Sequence, residues 1–497
     1  MRRLHAAVVA ASALLLAACA GSGSSRSASG LAPGSVRVPD NGWDAEKKAR
    51  HALDRLGYGP RPGEAAGIAR SGVGAWIQSQ LNPAALDDAA TDAKLHNLPT
   101  LAMTIPELLK DYPRPLDVAR ANGIDPKDPA GREKLRELLP PEKRPAALER
   151  ELAAAKLVRA VESRRQLQEV LVDFWFNHFN VFGDKGEDRW MVGAYERDAI
   201  RPHVFGRFRD LLGATAAHPA MLFYLDNWTS RREGINENYA RELLELHTLG
   251  VDGGYTEEDV REVARCFTGW SIVPPRGRMA VRDPAANLPP GTFFFRPRAH
   301  DPGEKHVLGT VIPAGGGRED AEAVLDLLAA HPSTARFLAT KLCRKFVSDT
   351  PPAGLVTRVA AVFTATQGDL RAVYAAIFSS SEFWSDEAFG AKTKTPLELA
   401  ASAVRALGGT IDPARAEPLA LQVARMGEPI YRCAPPTGYA STADAWLSAG
   451  MLVNRISFGA VLASGRLPGV TVPTPPLAPP DPVAATLALG APDFQRK

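Results

Sequence analysis

Residues 236–260 read NENYARELLELHTLGVDGGYTEEDV, and this stretch sets the fold class. Apolar side chains recur at helical spacing through Tyr239, Leu243, Leu244 and Leu246. Glycines then break the run, and Thr256 followed by Asp259 is the start signal of a second helix. The pattern predicts a helix over 236–248, a stop at Gly250 and a new helix over 256–268. At about 100° per residue, Glu242 and Glu245 lie within about 40° of Asn238. His247 falls among the apolar residues on the other side, so one helix cannot bring it to the same ion as the two carboxylates. A plainer account of the polar strip is an ion-pair ladder of Glu237, Arg241 and Glu245 at i, i+4 and i+8.

The same test applied to VLVDFWFNHFNVFGD, residues 170–184, gives the same design. Asp173, Asn177 and Asn180 share a face, while His178 points among Leu171, Phe174 and Trp175. Two candidate sites follow. In the first, Asp173, Asn177, Asn180, Asn238, Glu242 and Glu245 converge. Carboxylates from facing helices suit an oxygen-liganded divalent metal or acid–base work through shifted pKa values. Glu242, Glu245 and Asp173 are then the candidate catalytic groups, with Asn177, Asn180, Asn238 and Arg241 in support. In the second, His178 and His247 meet in the interior. There they hold a transition metal or a haem, or simply hydrogen-bond to the backbone.

The rest of the chain repeats the helical period. A long helix, or two in line, is expected over 146–182, and further helices follow as far as 442–463. The exception is 273–313, where Pro-rich loops flank two short apolar runs, Thr292–Phe295 and Val307–Ile312, read together as a β-hairpin. The expected class is mostly α: one large multi-helix domain over 43–465, a small β excursion near 292–312, and a Pro-rich, irregular tail over 466–497.

Arg2 and Arg3 precede a short apolar run that ends LLLAACAGSGSS. That is the shape of a secretory signal, and the run is too short to span a membrane as a helix. Leu16 to Cys19 resembles a lipobox. Cleavage after residue 18 would leave Cys19 to carry acyl chains and anchor the protein in a membrane. Ala20 and Gly21 behind the cysteine favour the outer membrane by resemblance to enterobacterial sorting. Residues 19–42 read as a flexible tether. With Cys19 lipidated, Cys266, Cys343 and Cys433 remain, an odd number with no CxxC. Cys266 and Cys343 are read first as small buried residues and second as a bridge. The net charge of +3 on 497 residues points to no nucleic-acid partner.

Other signals are weaker. Asp252 with Glu257, Glu258 and Asp259 lacks the spacing of an EF-hand. His300, Asp301 and His306 fall in a turn-rich loop, and Arg231 and Arg232 sit beside a glycine where they could hold an anion. There is no serine nucleophile elbow, phosphate loop or dinucleotide fingerprint.

Taken with LDRLGYGPRPGE, HPAMLFYLDN, HDPGEKHVLG, ATKLCRKFVSD, SSSEFW and TGYASTADAWLSAGMLVNRISF, these stretches resemble the bacterial family catalogued as domain of unknown function 1800, over roughly residues 45–465. Cys266 and Cys343 stand where that pattern has Ala-like residues, which argues against a shared thiol chemistry. The resemblance implies an exported protein, often encoded beside a second exported family similar to sulfatases and alkaline phosphatases, and implies no particular reaction. The expectation is an extracytoplasmic lipoprotein that acts as a metal- or carboxylate-dependent enzyme on an envelope or extracellular substrate. The alternatives are a non-enzymatic scaffold or accessory partner of the sulfatase-like protein, and a haem or transition-metal protein using the two histidines.

Overall fold

Asn238 opens a helix that runs to Glu242 and then widens into a π turn over Leu243–Thr248. The Thr248 hydroxyl donates to the Leu243 carbonyl at 2.6 Å inside that turn. Gly250, at φ +83°, ends the segment. A Cβ there would stand 2.8 Å from the ring of Phe337, so glycine permits both the left-handed backbone and the close approach of the helix Pro332–Phe346. Thr256 and Asp259 then form a reciprocal capping box at the head of Glu257–Cys266. In this computed structural model, residues 35–276, 285–473 and 482–497 are described. The expected signal peptide and Cys19 lie outside them.

A second π turn, Tyr195–Ile200, continues the helix Asp188–Ala194. Such turns are rare and gather at functional sites. Here both fasten on the end of one helix, Gln166–His178. His178 Nε2 meets the His247 carbonyl at 3.1 Å, and the Tyr195 hydroxyl donates to the Phe179 carbonyl at 2.9 Å.

That helix is central because it is apolar on almost every side. Leu167, Val170, Leu171, Phe174, Trp175 and Phe176 are all buried, and each such side chain contributes about 1.5–3 kcal/mol when fully buried. It packs against Ala146–Glu162, Ala45–Leu56, Val73–Gln80 and the second π turn. The Trp175 indole also donates to the Tyr374 hydroxyl at 2.7 Å. The expected element over 146–182 is thus two helices. They are parted at Ser163–Arg165, where the Ser163 hydroxyl and the Arg164 amide both donate to Asp88 at 2.6 and 2.8 Å.

The class is mostly α with small antiparallel two-stranded sheets, but the expected hairpin pairs differently. Phe293–Phe295 pairs with Trp270–Ile272, not with the second apolar run. The second run folds back on itself, Lys305–Val307 against Thr310–Ile312. Leu308 and Gly309 both take positive φ between them, the two-residue turn that suits the twist of a tight hairpin.

Both ends of the described chain depart from expectation. Residues 35–42, assigned to the tether, lie along the body: Val36 N donates to Gln78 at 3.2 Å and Arg37 N to Ser379 at 3.1 Å. The tail, expected to be irregular, is helical over Pro482–Gly490 and packs on Ala449–Ala463. Past the prolines, its Ala- and Leu-rich stretch is a good helix former. Lys497 then pairs with Lys392 through the backbone, N to O at 2.8 Å. All these residues belong to one compact unit, Gly34–Lys497. Among the described residues no helix is long and apolar enough to cross a membrane.

Candidate functional site

The polar face of Gln166–His178 opens onto a cavity of about 320 Å³, at the small end of ligand pockets. Its other walls come from Pro332–Phe346, from residues 392–398, from the loop 428–441 and from Lys497.

Asn177 and Asn180 build the loop wall. Asn177 behaves like a neighbouring strand: its Nδ2 donates to the Tyr439 carbonyl at 2.9 Å and its Oδ1 accepts the Tyr439 amide at 2.7 Å. Gly438 makes this approach possible, since at φ +72° a Cβ would stand 2.2 Å from the Asn177 carbonyl oxygen. Asn180 Nδ2 donates to the Cys433 and Pro435 carbonyls at 2.9 and 2.8 Å. Both amides therefore hold the loop in place.

The cavity is dominated by lysines and carboxylates. Lys156 Nζ lies 2.9 Å from Asp173 and 3.6 Å from Glu196. Burial works against its charge, but the two carboxylates outweigh it and raise its pKa. Lys392 is bonded to Asp349 and donates to the Ser441 carbonyl at 2.7 Å. Glu398 sits in the capping box of Pro396–Ala406, where one oxygen accepts the Thr395 amide at 3.0 Å. Its other oxygen takes both Lys345, at 2.8 Å, and Lys497. Burial would raise this carboxyl, but the two ammonium groups hold it well below the usual range. One carboxylate cannot fully support two cations. Lys345 is raised by Glu398 against its burial, whereas burial brings Lys497 down to about 7.

Glu428 differs from the other carboxylates on the wall. It accepts the Leu397 amide at 2.8 Å and forms no ion pair among the described residues. Burial, reinforced by the charges of Asp173 and Glu398, raises it to about 8, so it carries a proton at neutral pH. Lys341 is the matching case among the cations. Among the described residues it has no carboxylate partner, its ammonium lies 5.4 Å from the Phe337 ring, and burial and Arg344 lower it to about 8.

The residues expected at one site are divided. Asp173, Asn177, Asn180 and His178 line the cavity, whereas Asn238, Arg241, Glu242 and Glu245 do not. Arg241 makes a bidentate pair with Glu257 at 2.8 and 2.7 Å and lies 3.7 Å from Glu237. Asn238 donates to the Leu225 carbonyl at 3.2 Å and Glu245 accepts the Tyr255 hydroxyl at 3.3 Å. Glu242 is half-buried and raised by burial and by Glu245. The physical reason is that the two polar strips face different neighbours: the first looks to the 428–441 loop, the second to Glu257–Cys266.

His178 and His247 are side by side, ring centroids 6.2 Å apart. Burial lowers His247 to about 3 and His178 well below its ordinary value, with Lys341 adding to both shifts. Among the described residues no group of three or more His, Cys, Asp or Glu is disposed to hold a metal ion. Cys266, Cys343 and Cys433 are buried free thiols, so the alternative of a bridge is not formed. Asp301 pairs with Arg265 at 2.8 Å and His300 meets Asp320 at 3.1 Å, so that loop is held by its own ion pairs. Arg232 pairs with its neighbour Glu233 at 2.6 Å.

Sequence reasoning missed Lys341, Lys345, Lys392, Glu398, Glu428 and Lys497. Two local signals were available. Lys341 and Lys345 stand at i, i+4 on a helix that is otherwise apolar on that side. Thr395-Pro-Leu-Glu398 has the capping-box spacing that fixes the Glu398 side chain.

Fold and site together define a mostly α-helical protein with an interior polar cavity lined by lysines and carboxylates. The chain belongs to the family described as protein of unknown function (DUF1800), which matches residues 51–495. No curated protein and no solved structure matches it.

Proposed function

We propose that the protein is an exported lipoprotein, anchored through Cys19, whose cavity performs acid–base chemistry on a small polar substrate from the envelope or the extracellular medium. The observation that carries this reading is the contrast between two carboxyl groups on one wall: Asp173 is charge-paired with Lys156, while Glu428 has no ion-pair partner among the described residues and, raised to about 8 by burial, keeps its proton. A carboxylate paired with a lysine and a second carboxyl that keeps its proton supply a base and an acid on one wall. Glu428 gives its proton to a leaving oxygen. Asp173 takes the proton of an attacking water, and Lys156 steadies the carboxylate as its charge changes.

The test is a screen of the purified protein against envelope and extracellular polysaccharides, with products read by mass spectrometry. Turnover should be lost in Glu428→Gln and Asp173→Asn while the melting temperature stays within a few degrees of wild type. Turnover retained in Glu428→Gln would sink the reading. So would full rescue of a deletion strain by that variant. The anchor is tested by Cys19→Ser, which should release the protein from the membrane fraction.

A second reading, an accessory partner of the sulfatase-like exported protein, is favoured by one feature. The helix Ala449–Ala463 exposes Val453 at 63% and Ile456 at 53%, an apolar strip of the kind that marks interaction sites. Here Val453→Glu with Ile456→Glu should abolish co-purification of the two proteins, and Glu428→Gln should leave it intact.

A further inference from the structure

The lysines of the cavity are not balanced from within. Asp173 answers Lys156, and Asp349 answers Lys392. Lys345 and Lys497 share the single carboxylate of Glu398. Lys341 has no carboxylate partner among the described residues, and the imidazoles of His178 and His247 near it are neutral. Glu428 adds no negative charge while it holds its proton. The wall thus carries more lysines than its carboxylates offset: Lys341 has no counter-charge, and Lys497, brought down to about 7, has only a share of Glu398. Desolvation works against an ammonium with no counter-charge, and the face of the Phe337 ring, 5.4 Å away, offsets only part of that cost.

We infer that the cavity takes a small ligand bearing an anionic group, a carboxylate, sulfate or phosphate, and that Lys341 is the residue that holds it, with the shared Lys345–Lys497 pair on Glu398 as the second point of attachment. This deepens the acid–base reading by naming the substrate class of the same cavity. The volume of about 320 Å³ leaves room beyond the anion for the rest of a small polar molecule. The Lys341 amine stands on a rigid helix, one turn before Lys345, so the two cations present a fixed spacing.

The test titrates the purified full-length protein with sodium sulfate, phosphate and acetate by calorimetry at constant ionic strength. At least one of these anions should bind saturably with one site per chain. Lys341→Met should weaken that binding by at least about tenfold, and the exposed Lys134→Met should not change it. The preference between the tetrahedral anions and acetate separates sulfate and phosphate esters from carboxylates. The absence of saturable binding, or binding to Lys341→Met as tight as to wild type, overturns the inference. If Lys341→Met does not fold, wild-type protein is labelled with acetic anhydride and mapped by mass spectrometry. The bound anion should protect Lys341 selectively, and equal labelling with and without it overturns the inference. Binding requires no turnover. Its failure therefore leaves the Glu428 and Asp173 reading standing, and activity retained in Glu428→Gln leaves the anion site standing.

Discussion

His178 donates its Nε2 proton to the backbone carbonyl of His247, 3.1 Å away. A carbonyl can only accept, so the bond fixes the tautomer and leaves Nδ1 as a bare acceptor, with no partner among the described residues. Burial then keeps both rings neutral. This places a side chain of the helix Gln166–His178 against the backbone of the π turn Leu243–Thr248 and explains two histidines in an aromatic core.

Neither ring should titrate at the ordinary imidazole pKa in the folded protein, His247 only near about 3 and His178 well below its ordinary value, which imidazole proton resonances would show directly. The stability consequence has a definite sign. The folded pKa is below the unfolded one, so the contribution is complete above about 6.5 and is lost as pH falls from 6.5 towards about 3. His247→Leu should flatten the fall in melting temperature between pH 6.5 and 4.

Lys156 is buried between Asp173 and Glu196. Lys156→Met should destabilise the fold by about 3–5 kcal/mol, because it strands a carboxylate in the wall. Urea unfolding at pH 7 reads it. Glu196 is pulled down to about 2 against its burial by Lys156 and Arg201. Its contribution is present above about 4.5 and disappears as pH falls towards 2, so the gap between wild type and variant should narrow in acid.

Glu428 has the opposite sign. Its folded pKa is raised from 4.5 to about 8, so the native state binds a proton that the unfolded chain releases, and stability falls as pH rises across that window. Glu428→Gln keeps an acceptor for the Leu397 amide. Its melting temperature should gain steadily on wild type from pH 5 to 8. A constant difference over that range would show that the carboxyl is ionised in the fold.

The helices were legible because their signals are local. The capping box at Thr256 and the stop at Gly250 need only neighbouring residues, and the face arithmetic put Asp173, Asn177 and Asn180 on one side of their helix, where the cavity lies. The partner of that face was not legible. Glu428, Glu398 and Lys341 come from elements 160 residues and more further along the chain, and no spacing links them to Asp173. The helical period also misleads within 243–248, where the turn is wider than the α form. The hairpin was misassigned because two apolar runs invite pairing, whereas the turn at Leu308 and Gly309 lets the second run pair with itself.

Gly438→Ala should lower stability by about 2 kcal/mol or more, from the left-handed backbone and the collision with Asn177 together. It should also loosen the 433–439 wall, seen as faster amide exchange at Tyr439 and weaker anion binding. Arg241→Ala is the contrasting case. Its pair with Glu257 is largely exposed, so the loss should stay below about 1 kcal/mol and vanish in high salt.

Each π turn contains one residue more than the α-helical course it interrupts. Deleting one residue within Leu243–Thr248 would let the chain close into ordinary α-helix and leave the flanking turns in place. The widened turn that carries the His247 carbonyl to His178 would be lost, while Gly250 would still meet Phe337. The same deletion inside Gln166–His178 would instead rotate everything on one side by about 100°. A deletion scan should therefore find two short windows, 195–200 and 243–248, where the backbone accepts the loss of one residue and the regular helices around them do not.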